Sequence, residues 1–151
     1  QTFAIIQAVL GGIGGIALLV AAFGIANTMV MAIYERTREI GLMKAVGANN
    51  ADVMSVFLAE AGAIGVLGGL GGVVFGIGVG RIIGMVAWSY LSSQSGGEIG
   101  SSMPGVDSLV YVPGWLPVFA IVFSALIGVL SGVYPALRAA RLDPIAALRS
   151  E

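Results

Sequence analysis

From Phe3 to Ile33 the chain carries no charged residue, and no other feature limits its fold as sharply. A hydrocarbon core about 30 Å thick is crossed by roughly 20 apolar residues in a helix. At about 1.5 Å per residue the run outreaches that core, so one end is expected to project into headgroups or water. Gln7 marks the N-terminal end as the projecting one. Two more stretches qualify, one from about Ala51 to Leu91 with an uncharged centre at 61–80, the other from about Trp115 to Leu137. Composition agrees: 58% of the 151 residues are hydrophobic and 10% charged, against roughly 45–50% and about 25% in soluble domains. Mean hydropathy is +1.00. The expected fold is all-α, a polytopic membrane protein with three transmembrane helices over about 3–46, 50–91 and 114–140 and a charged, water-facing segment between the first two.

The sequence has neither Cys nor His, which removes thiolates, imidazole bases, Ser-His-Asp triads and most zinc sites. No GxxxxGK[ST] loop occurs, so ATP is not bound by this chain. Catalytic, cofactor and metal residues are therefore assigned as none, and no enzymatic activity is expected. A net charge of −1, with the basic residues in two clusters, gives no reason to expect a nucleic-acid partner. The first apolar run lacks a basic leader and is too long for a signal-peptide core.

Topology follows from Lys and Arg, which are retained on the cytoplasmic side of short loops. Arg36, Arg38 and Lys44 lie in the first connection, and Arg138, Arg141 and Arg149 in the tail at 138–151. The loop at 92–113, rich in Gly, Ser and Pro, carries only Glu98 and Asp107. The first connection and the C-terminus are thus expected inside, the loop outside. An outside N-terminus predicts upstream sequence that crosses the membrane first. Arg81 then falls near the outer interface, where its stem can snorkel. Trp88, Tyr90, Tyr111 and Trp115 fall at the same boundary, as interfacial aromatics do.

In the second stretch Gly68, Gly72, Gly76, Gly80 and Gly84 recur at every fourth position, with Gly65 and Gly69 as a further pair. Gly11/Gly15 and Gly128/Gly132 repeat the spacing in the other two. Glycine is common in membrane helices, which explains any one pair. Five in register predict close helix packing, within the chain or with a second copy.

Between the first two stretches lies Glu35–Asp52, ERTREIGLMKAVGANNAD. Glu35/Arg38 and Arg36/Glu39 are spaced to bridge in a helix, and Glu35/Glu39 to repel. Gly47 fits a helix end, and Asn49 with Asp52 has the form of a capping box. A solvated topology anchor would explain the charges. Their alternation with Ile40, Leu42, Met43 and Val46 predicts instead that a partner or the membrane surface covers this segment. Glu60 is read as a headgroup-level carboxylate contacting water or Lys44. Tyr134-Pro135 is expected to kink or end the third stretch, and Asp143-Pro144 to open a short tail helix through about Arg149.

The run NTMVMAIYERTREIGLMKAVGANNADVMSVFLAEA, Asn27 to Ala61, with the Gly-rich stretch after it, resembles the membrane half of MacB/FtsX-type ABC transporter permeases. The tail GVYPALRAARLDPIAALRSE, Gly132 to Glu151, is similar to that family's C-terminal signature. The resemblance implies helices two to four of a four-helix permease, the first helix and the extracytoplasmic domain being absent from this segment. It implies a prokaryotic inner-membrane location and a nucleotide-binding ABC ATPase partner that holds ATP-Mg. It also implies a dimer with a second permease copy or paralogue, and a periplasmic or extracellular adaptor. Glu35, Arg36, Thr37, Arg38, Glu39, Ile40, Gly41, Met43, Lys44, Ala45, Val46, Gly47 and Ala48 would form the coupling region on the ATPase. Arg36, Arg38, Glu39 and Lys44 would supply its polar contacts, Ile40 and Met43 its apolar ones. Such permeases pass ATPase closure along long helices to the outside. Two alternatives remain: an FtsX-like signalling permease controlling an envelope hydrolase, and a self-associating scaffold or pore built on the glycine ladder.

Overall fold

The computed structural model describes residues 2–94 and 112–142. Among these there is no strand, and the helices are α1 (Thr2–Glu35), α2 (Thr37–Ala45), α3 (Asn50–Gln94) and α4 (Trp115–Ala140). The fold is all-α, and α1, α3 and α4 are each long and apolar enough to cross a membrane. The tail helix expected after Asp143 and the loop at 95–111, with Tyr111, lie outside the described residues.

By backbone packing the chain divides into two compact units, residues 1–66 with 124–151, and residues 67–123. In the first unit, Val53, Phe57 and Ala61 recur at every fourth residue of α3 and are buried along one ridge. Met29 and Ile33 of α1, Ile40 of α2, and Ala136 and Ala139 of α4 close around that ridge. Small residues let the backbones meet, as helices in lipid require. A methyl group on Gly128 would sit 2.6 Å from the Ala61 carbonyl oxygen, and one on Gly65 would sit 2.6 Å from that of Ser124. The Ser124 hydroxyl donates to the Gly65 carbonyl at 2.7 Å across the same seam. Away from this core α1 is bare, with Phe3 82% and Phe23 76% exposed. Apolar surface on that scale is compatible with lipid and not with water.

In the second unit the α4 rings of Trp115, Phe119 and Phe123 follow one another on a single face. The first pair meets edge-on at 6.1 Å, and the second stacks at 5.8 Å. On α3, methyl groups added at Gly72 or Gly76 would meet no atom within 4 Å, and the same holds at Gly68. Approaches under 3 Å occur at Gly65, Gly128 and Gly132, whereas Gly68, Gly72 and Gly76 stand open and Gly69 and Gly84 are buried.

The structure departs from one continuous first helix over 3–46. Arg36 takes φ −102° and ψ 17°, which separates α1 from α2. Thr37 stands at the break, and its hydroxyl reaches two carbonyls, Ile33 at 2.8 Å and Tyr34 at 2.9 Å, whereas Thr28 and Ser131 within unbroken helices each reach one. A hydroxyl that bonds back to the preceding turn competes with backbone amides and disturbs the helix there. Backbone bonds from Arg36 to Ala32 at 3.0 Å and from Ile40 to Arg36 at 3.1 Å still bridge the break. Tyr134-Pro135 does not end the third stretch, because α4 continues to Ala140 with Pro135 buried inside it.

Candidate coupling site

The segment between α1 and α3 is built by local rules at both of its turns. Gly47 adopts φ +111°, a value that glycine alone reaches without strain. Its amide donates to the Lys44 carbonyl at 3.1 Å, and the Ala48 amide to that of Met43 at 3.0 Å. This paired closure satisfies two of the carbonyls that a helix end leaves open. On the far side the Asn49 amide donates to the Asp52 carboxylate at 2.8 Å, the carboxylate half of a capping box at the start of α3.

Between these turns α2 has two opposed stripes, each at the i, i+3, i+4, i+7 spacing of one helical face. Thr37, Ile40, Gly41 and Lys44 point inward, with Ile40 only 2% exposed. Glu39, Leu42, Met43 and Val46 point outward, with Leu42 58% and Val46 83% exposed. Glu35, Arg36 and Arg38 are exposed beside that outer stripe. Of the two apolar contacts assigned to a partner, Ile40 lies in the chain's own core and Met43 faces out. Leu42 and Val46 share the outer face.

Lys44 is also turned inward. Its ammonium donates to the carbonyls of Ala140 at 2.7 Å and Leu142 at 2.8 Å, capping the C-terminal end of α4. A cation there meets the negative end of the helix dipole and fills carbonyls without intrahelical partners. Glu60 consequently pairs with Arg36, at 3.7 Å, and not with Lys44. Both side chains of that pair are well exposed, so it contributes at most about 1 kcal/mol. The bridges expected for Glu35/Arg38 and Arg36/Glu39 are not among the ion pairs of the described residues.

One contact has no counterpart in the sequence pattern: the Arg138 guanidinium lies 5.6 Å from the centre of the Tyr34 ring. The Lys44 cap is equally invisible there, since its carbonyls lie 96 and 98 residues away. Together α2, the end of α1 and the end of α4 form one clamped assembly that exposes a mixed apolar and charged stripe. The described residues hold no cluster of acidic side chains fit for a metal.

Residues 11–144 match the family described as FtsX-like permease C-terminal, and the chain belongs to that family. It is 37% identical over 139 residues to the ABC transporter permease YtrF of Bacillus subtilis, covering 92% of this chain and 31% of that protein. It is 39% identical over 143 residues to the macrolide export ATP-binding/permease protein MacB of Bdellovibrio bacteriovorus, covering 94% of this chain and 19% of that protein. With the pyoverdine export ATP-binding/permease protein PvdT of Pseudomonas syringae the identity is 42% over 144 residues, 94% of this chain and 19% of that protein. The chain thus spans about a third or less of the curated relatives it matches.

Proposed function

We propose that this chain is the membrane-spanning permease module of an ABC transporter. Its α2 docks on a nucleotide-binding partner and passes the partner's closure along α1 to work done outside the membrane. The observation that carries this reading is the outer stripe of α2. Glu39, Leu42, Met43 and Val46 form a small amphipathic face that the described residues leave uncovered. The helix bearing it is tied to α4 through Lys44 and packs into the core beside Val53 and Phe57 of α3 through Ile40. A push on such a face moves helix ends rather than a loop, and rigid movement of packed helices is a common switching mode. The hydrolysis itself belongs to the partner, as the two-part names of MacB and PvdT suggest. In this reading the α2 turn and the C-terminus are cytoplasmic, a second permease copy completes the assembly, and the module has no enzymatic activity of its own.

Charge reversal of Arg36 and Arg38 to Glu tests the docking. The expected result is loss of nucleotide-binding partner from the detergent-solubilised complex, with insertion and expression unchanged. Undiminished capture by the doubly reversed protein would count against the reading.

A further inference from the structure

Beside α2, where α1 and α4 end together, a cleft of about 310 Å³ is lined by Val30, Ile33, Tyr34, Thr37, Arg138 and Leu142. A second hollow shares Arg138 and Leu142 with it and adds Arg141 and Tyr134. We infer that this place binds the phosphate headgroup of an anionic phospholipid, with the acyl chains lying along Val30 and Leu137. The inference rests on the membrane-spanning part of the proposed function and not on the docking of α2.

Three features carry it. Arg138 and Arg141 lie one turn apart and are both exposed. No carboxylate among the described residues comes within ion-pair distance of either one. Both line the second hollow, and a guanidinium group presents a fork of donors suited to phosphate oxygens. The second feature is depth: Val30 of α1, in the cleft, and Leu137 of α4, in the second hollow, belong to helices fit to cross the bilayer. The cleft is therefore basic at its mouth and apolar below, the order of a phospholipid from headgroup to chain. The third is the Tyr34 ring, whose centre lies 5.6 Å from Arg138; a guanidinium stacked on a ring can still donate hydrogen bonds from its edge. An acidic protein segment would satisfy the arginines but has no use for the apolar floor, so the lipid is the better occupant.

The test uses the protein purified in mild detergent and native mass spectrometry. It is offered equal amounts of phosphatidylglycerol and phosphatidylcholine with identical acyl chains. Phosphatidylglycerol adducts are expected to dominate and to fall roughly thirtyfold in R138Q/R141Q, since each arginine near a lipid surface is worth about fivefold and two are removed. Val30→Trp, which fills the apolar floor without changing charge, is expected to lose the adducts as well, and covers the case in which the arginine variant misfolds. Equal retention of both lipids overturns the inference, and so does undiminished phosphatidylglycerol binding by Val30→Trp. Complete displacement by inorganic phosphate would reassign the site to the free anion and overturn the lipid assignment. If the R36E/R38E protein keeps both its partner and its lipid, the docking reading fails while this one stands.

Discussion

Lys44 spends its charge on its own chain, and that decides what can be asked of it. Two hydrogen bonds at 2.7 and 2.8 Å cap α4, so Lys44→Met is expected to cost about 1–2 kcal/mol. A thermal scan in detergent, with the nucleotide-binding partner absent, reads that loss directly, and an unchanged midpoint would argue against the cap. Glycine offers a contrast at the same scale. Gly128→Ala must push a methyl group against the Ala61 carbonyl oxygen at 2.6 Å, whereas Gly72→Ala meets open space. The first is expected to destabilise the chain by about 1–3 kcal/mol and the second to stay within about 0.5 kcal/mol. Unfolding in mixed micelles would compare them, and equal effects would mean that the α3–α4 seam is misplaced. The spacing of Gly128 and Gly132 was readable in advance, but their partners were not. Which glycine meets a neighbour depends on the register between α3 and α4, and a list of glycines four apart contains no register.

At the scale of one element, α2 shows both what the sequence reveals and what it conceals. Its C-terminal stop was legible because the cause is local: Gly47 supplies the φ of +111°, and Asn49 with Asp52 starts the next helix. Gly47→Ala is expected to cost about 1 kcal/mol and to speed amide exchange across 43–48; exchange as slow as in the parent protein would show that the turn tolerates the side chain. The start of α2 was not legible, because Thr37 looks like any helix residue until its hydroxyl is seen on Ile33 and Tyr34. The inward face was hidden for a different reason. The outer stripe, with Leu42, Met43 and Val46, is more apolar than the inner one, with Thr37, Gly41 and Lys44. An argument from hydrophobicity alone would turn the helix around. Here small size at Gly41 and the reach of Lys44 set the orientation, and the apolar residues Leu42, Met43 and Val46 stay exposed.

The molecule as a whole is organised by where charge is absent. Three stretches that can span a bilayer were evident from the uncharged runs, since lipid admits few other solutions for a backbone. The clustered core at one end of the first unit could not be foreseen, because burial there comes from Ala61, Ala136 and Ala139 meeting across helices far apart in sequence. Those contacts gather the ends of α1 and α4 and the whole of α2 into one body, the arrangement needed if a push on α2 is to be felt along α1. The account stands or falls on which side of the membrane that body faces. Because the chain has no cysteine, Arg38→Cys places a single thiol on the exposed side of α2 in this segment. Challenged with a membrane-impermeant maleimide, this thiol is predicted to stay unlabelled in intact spheroplasts, to react after lysis, and to be shielded again when the nucleotide-binding partner is present. Labelling of intact spheroplasts would put α2 outside the cell and contradict the account.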